Sequence, residues 1–149
     1  MIGVDYGTVR IGLAICDPSR TWVSPLTTYE RRTEPLDCQF FKEIVKKESV
    51  SGWVVGLPIH CDGKESQKSA EARSFADWLE LETNLPVKLV DERFSTAFAN
   101  QLLRPADLSR KQTKKRVDRV AALVILESFL EKCRRESRLD PSSPLDDSP

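Results

Sequence analysis

The chain of 149 residues has one histidine, one methionine, six glycines and four cysteines. No two cysteines form a C-x-x-C pair, and His60 alone among Cys16, Cys38, Cys61 and Cys133 does not make a zinc site. So few unpatterned cysteines do not make a disulfide framework either, and reduced thiols in a cytoplasmic protein are the expectation. Long apolar runs are missing: the longest, Val120–Leu126, has seven residues, against ~20 for a membrane helix. The first residues read as a strand, not as a basic segment followed by an apolar one, so no signal or transit peptide is expected. Walker A and G-x-G-x-x-G loops are absent. Neither sign of charge is in excess, 23 Lys and Arg balancing 23 Asp and Glu. A nucleic-acid partner remains open on these terms, but any basic footprint must be local.

Apolar residues make up 40% of the chain and charged ones 31%, enough for an ordinary core. Residues 1–136 read as one domain, and 137–149, rich in Pro, Ser and Asp, as a disordered tail. Met1–Tyr6 and Arg10–Cys16 read as two strands close enough to form a hairpin, with a weaker third strand around Val23–Glu30. Leu36–Lys47 has helical spacing, Trp53–Leu57 is a compact buried strand, and Gln67–Glu82 is a helix that Ser66 is placed to cap. Val87–Asp91 is a strand, Thr96–Leu103 a short helix, and a long helix covers about Val117–Glu136. Hairpin strands followed by βαβ crossovers predict an α/β fold, a mixed five-stranded sheet flanked by helices. That is the element order of the ribonuclease H-like fold.

Asp5 sits inside an apolar strand, where a carboxylate is costly unless paired. It shares a face with Gly3 and Gly7, small neighbours that leave room for a ligand; bonding to the turn at Gly7-Thr8 is the alternative. Asp118 lies in line with Ala122, Ile125 and Phe129 on the helical wheel and so points to the protein body. Capping the first turn of the helix is the competing explanation. Asp91-Glu92-Arg93 closes a strand, where open α/β sheets place ligands; only one of the two acids would enter a given site, and an ion pair with Arg93 is the alternative. Converging, such carboxylates would make an all-oxygen site suited to Mg²⁺ or Mn²⁺ and to phosphodiester cleavage. Just before Asp118, Arg110–Arg119 holds six cations (Arg110, Lys111, Lys114, Lys115, Arg116, Arg119) against one acid. The segment is either a solvated loop or a hold on a phosphate backbone. The three tryptophans, Trp22, Trp53 and Trp78, read as packing rather than as stacking platforms.

Five motifs occur in order: G-V-D-Y-G-T-V-R-I-G-L-A (Gly3–Ala14), V-V-G-L-P (Val54–Pro58) with Asp62-Gly63, A-x-x-R-x-F-A (Ala70–Ala76), L-P-V-x-L-V-D-E-R-x-S-T (Leu85–Thr96) and R-V-D-R-V-A-A-L-V-I-L (Arg116–Leu126). Together they resemble the YqgF family, also called RuvX, of pre-16S ribosomal RNA nucleases also described as Holliday junction resolvases. The resemblance runs from about Ile2 to Glu131. It implies a ribonuclease H-like fold and a nuclease using Mg²⁺ or Mn²⁺, with Asp5, Glu92 and Asp118 as catalytic acids and metal ligands. The family's basic segment matches Lys111–Arg116, so Lys111, Lys114, Lys115 and Arg116, with Arg110 from the same run of cations, are expected to hold nucleic acid, either pre-16S rRNA or branched DNA. His60 and Cys61 depart from the family's loop, and Ala121 and Ala122 stand where related resolvases carry a second acid, which makes the acidic site leaner. The expected state is a monomer or weak dimer; a junction resolvase should be a symmetric dimer, and a monomer in solution would count against that alternative. A non-catalytic nucleic-acid-binding module is a further alternative. An actin-like ATPase lobe would need a second lobe that the length does not allow.

Overall fold

The computed structural model describes residues 1–57, 67–91 and 110–139. The described elements run β1 (Ile2–Asp5), β2 (Arg10–Cys16), β3 (Val23–Glu30), α1 (Glu34–Glu48), β4 (Trp53–Leu57), α2 (Gln67–Thr83), β5 (Val87–Asp91) and α3 (Arg110–Leu139). The strands form one sheet in the order β3-β2-β1-β4-β5. β1, β2 and β3 pair antiparallel, while β4 and β5 run parallel to β1. This is the mixed five-stranded sheet that the order of elements predicts. Pro25, which lacks an N–H for the ladder, is tolerated because β3 is an edge strand.

Alternation along β1 divides the core in two. Ile2 and Val4 point to one face, where they meet Phe41 and Ile44 of α1, Phe75 and Leu79 of α2, and Trp53. Gly3 and Asp5 therefore point to the other face, which α3 covers with Ile125, Leu126 and Leu130 against Val54 and Cys16. α1 starts with Pro35 in its first turn and ends on Ser49 in the left-handed region, φ 51°. Asp17 turns the chain between β2 and β3 by accepting the backbone N–H groups of Thr21 and Trp22 at 2.8 and 2.9 Å. With the Ser19 hydroxyl donating as well, these bonds hold its carboxyl below the usual range.

Two sequence expectations change. The long helix begins at Arg110, not near Val117, so the basic segment is helix and not a loop. Its first turns lack an apolar stripe, but Lys, Gln and Arg are good helix formers, and β3 clamps the segment from outside. The Thr28 hydroxyl donates to the Lys115 carbonyl at 2.7 Å, and Lys115 Nζ lies 2.8 Å from Glu30. Trp22 does not pack: it is 76% exposed, whereas Trp53 is fully buried. The short helix expected at Thr96–Leu103, the capping Ser66 and the tail 140–149 lie outside the described residues. Among the described residues no helix is long and apolar enough to cross a membrane.

Candidate active site

Asp5 ends β1 and pairs in register with Gly12 of β2, which in turn pairs with Thr28 of β3. The three residues form a row across the sheet on the α3 face. α3 lies directly on this row. A Cβ built on Gly12 would collide with the Asp118 carbonyl and stand 2.9 Å from its Cβ. One built on Gly3 would stand 2.6 Å from the Ala122 carbonyl oxygen and 2.7 Å from the Leu126 Cβ. The space expected beside Gly3 for a ligand is thus taken by the helix. The absent side chains let α3 approach closely enough to bring Asp118 to the end of β1.

Asp118 stands about two turns into α3. That position excludes the capping explanation, which needs the first turn. Its carboxylate accepts a bond from Arg10 Nε to Oδ2 at 2.9 Å, with both side chains about a quarter exposed (26% and 21%). Asp5 and Asp118 line one cavity of about 280 Å³ at the carboxyl ends of the strands, together with Tyr6, Gly7, Thr8, Val9, Arg10 and Lys68. Arg10 and Lys68 are additions that sequence reasoning missed. Arg10 opens a strand otherwise read for its apolar alternation, and Lys68 looks like any exposed lysine in the first turn of a helix. The only sequence signal was the presence of Arg10 within the quoted Gly3–Ala14 motif.

Of the third carboxylate, the structure speaks only to the β5 side. Val90 packs on the α3 face with Ile125 and Leu126. Asp91, next along the strand, is exposed and by alternation belongs to the opposite face, away from Asp5 and Asp118. Glu92 lies outside the described residues, as do His60, Cys61 and Asp62-Gly63. Among the described residues no three His, Cys, Asp or Glu side chains gather as a metal set. The donors that do gather, two carboxylates and the Thr8 side chain, are oxygen and therefore fit Mg²⁺ or Mn²⁺ better than zinc. A guanidinium cation already rests on one of them.

The basic residues separate. Lys114 is exposed, on the same side of α3 as Asp118 and one turn before it. Lys115 is engaged with Glu30. Arg116 and Arg119 border a groove of about 260 Å³ with Pro25, Leu26 and Val120. Arg110 and Lys111 form the first turn of α3.

The RuvX family, described as Holliday junction resolvase, matches residues 1–132. The chain belongs to the RuvX family. A Rhodopirellula baltica protein named "Putative pre-16S rRNA nuclease" is 55% identical over 93% of this chain and 80% of its own length. A Koribacter versatilis protein of the same name is 38% identical over 96% and 93%. Among solved structures, Thermus thermophilus RuvC superposes with a TM-score of 0.51 at 12% identity, covering 89% of this chain and 95% of RuvC. A fowlpox virus resolvase, solved with Holliday junction DNA, gives 0.51 at 14% identity, covering 89% and 99%. At such identities these two speak for the fold alone, and the RuvX chain shares the α/β, ribonuclease H-like architecture of these resolvases.

Proposed function

We propose that this RuvX chain is a divalent-metal-dependent nuclease that hydrolyses phosphodiester bonds while processing the 5′ end of pre-16S ribosomal RNA in the cytoplasm. The observation that carries the reading is the meeting of Asp5, from the first strand, and Asp118, from the last helix, on one cavity with Lys68. Two carboxylates held together repel unless a cation lies between them, and a third acid, Glu92, follows the strand next to β4. Asp5, Glu92 and Asp118 would hold Mg²⁺ or Mn²⁺, which when bound supplies an activated water and neutralises charge on the leaving oxygen. The chain's own groups do the rest. Lys68 draws the scissile phosphate into the cavity. Arg110, Lys111, Lys114, Lys115 and Arg116, on the helical turns that lead to Asp118, would hold the strand by its backbone, with Lys115 also fixing the helix to β3. The family's description and the names of the relatives support the same chemistry.

The test is cleavage of an end-labelled pre-16S 5′ leader by the purified chain with Mg²⁺ or Mn²⁺, beside Asp5→Asn. Metal-dependent cutting that disappears in the variant is the expected result. Intact leader in both samples sinks the ribosomal RNA reading. The family's description favours one second reading, resolution of four-way DNA, so a labelled junction is assayed in parallel. Symmetric cutting of the junction by a dimer, with the leader left whole, would replace the first reading by the second.

A further inference from the structure

A second and larger cleft, about 480 Å³, opens on the opposite face of the sheet at the same strand ends. Its walls come from the residues just after β1 and β3, from the first turn of α1 and from one side of α2 between Gln67 and Trp78, among them Tyr6, Arg31, Arg32, Glu34, Glu71 and Trp78. Tyr6 is also a wall of the Asp5–Asp118 cavity. Consecutive residues of a strand face opposite ways, so the end of β1 presents Asp5 to one cleft and the Tyr6 ring to the other.

The walls are flat and held in place. The Arg31 guanidinium lies 5.4 Å from the Tyr6 ring centre and 5.9 Å from that of Phe75, and donates to the Tyr6 hydroxyl at 3.0 Å. Trp78 stacks obliquely on Phe75 at 5.6 Å, and its indole N–H donates to Glu34 at 3.1 Å. Aromatic rings and guanidinium planes are the surfaces on which unpaired bases stack. The charge does not suit a phosphate. Arg31 is engaged with Asp37 at 3.4 Å, and Glu34, Asp37 and Glu71 outnumber the two arginines. Carboxylates beside flat walls instead suit a neutral ring that donates N–H groups.

We propose that this cleft takes one unpaired nucleobase bearing an exocyclic amine, adjacent in the strand to the phosphate at Asp5, a reading that rests on the proposed nuclease function. Base-in-cleft and phosphate-in-cavity binding on the two sides of Tyr6 would select a single-stranded segment and fix its register for cutting.

The test uses fluorescein-labelled ten-nucleotide RNA strands in EDTA, followed by anisotropy, so that nothing is cut. Ala70 and Ser74 are exposed on α2 and line the cleft, so Ala70→Met with Ser74→Met fills it without touching the core. Wild type should bind oligo(C) more tightly than oligo(U), which carries a carbonyl in place of the amine and an N3–H in place of the N3 acceptor. The double variant should lose about 5- to 150-fold of its affinity for oligo(C), the range expected for one stacked base. Affinity for a ten-base-pair duplex should stay within about twofold. Three results overturn the proposal: unchanged oligo(C) affinity in the variant, an equal loss on the duplex, or no measurable binding of oligo(C) by wild type. Asp5→Asn separates the two ideas, because it should abolish cleavage while oligo(C) binding in EDTA becomes no weaker, one carboxylate that repels the phosphate having been removed.

Discussion

Arg10 Nε donates to Asp118 Oδ2 at 2.9 Å, joining residues 108 positions apart in sequence. The guanidinium stands where an acidic site would take a cation, and it ties the last helix to the β1–β2 hairpin. On the proposed function, Arg10 and a divalent ion would compete for one carboxylate. Arg10→Gln should tighten Mn²⁺ binding about two- to fivefold, the scale of a partly exposed ion pair. It should also lower the stability of the metal-free protein by up to about 1 kcal/mol. Calorimetric titration with Mn²⁺ checks the first effect and thermal unfolding in EDTA the second. Weaker Mn²⁺ binding would mean that Arg10 orients Asp118 for the ion instead of contesting it.

Gly12→Ala and Gly3→Ala should both push α3 off the sheet, by different amounts. At Gly12 the added methyl runs into main-chain atoms of Asp118, and at Gly3 into a carbonyl oxygen and a side-chain Cβ. Overpacking of this kind costs about 1–3 kcal/mol, with Gly12→Ala at the upper end. Activity should fall further than stability in Gly12→Ala, because the displaced atoms carry Asp118. Urea unfolding and leader cleavage, measured on the same preparations, separate the two effects.

Asp37, 2% exposed, accepts from the Tyr29 hydroxyl at 2.6 Å and the Arg32 backbone N–H at 2.9 Å. Burial and the neighbouring carboxylate push the Tyr29 phenol up to about 12. The folded state thus keeps a proton that the unfolded chain releases near pH 10. The stability linked to Tyr29 is fully present below pH 10 and is lost as pH rises to about 12. At 1.36 kcal/mol per unit the loss is on the order of 2–3 kcal/mol. Tyr29→Phe should flatten the stability–pH curve in that window, read by urea unfolding at a series of alkaline pH values. Asp37→Ala should cost roughly 1–3 kcal/mol at neutral pH, since it leaves the buried Tyr29 hydroxyl and the Arg32 N–H without their acceptor.

Lys114 and Lys115 are neighbours with different duties. Lys114 is exposed one turn before Asp118, whereas Lys115 is spent on Glu30. Lys114→Ala should weaken binding of single-stranded RNA and reduce the slope of log K against log salt by about 0.7, the value for one phosphate no longer neutralised. Lys115→Ala should show most of its effect in thermal stability. Equal slopes for the two variants would remove the distinction.

The sheet and two of the helices were legible in the sequence because their signals are periodic and dense. Ile11, Leu13 and Ile15 alternate, Phe41 and Ile44 recur at helical spacing, and Trp53–Leu57 is wholly apolar and wholly buried. The start of α3 was not, because Arg110–Arg116 has no apolar stripe to betray a helix, and its order depends on Thr28 and Glu30 of a distant strand. The same limit applies at the site. Asp5 and Asp118 stood out as acids on apolar faces, whereas Arg10 and Lys68 carry no anomaly of their own. Their part comes from where the hairpin and α2 bring them, and spacing along the chain does not encode that. Gly3 misleads for a related reason: a missing side chain marks a close approach without saying whether ligand or helix makes it.

Because α3 is the last described element and packs against all five strands, the order of synthesis matters. On the ribosome Asp5 precedes its partner on α3, which follows only after the five described strands have been made. Until then the face formed by Gly3, Ala14 and Val54 has no cover, and the cavity has one wall missing. On the proposed function, a chain cut short before α3 would lack the second carboxylate and so would carry no complete site. Docking of α3 would then close the cavity late in synthesis, after both of its other walls are in place.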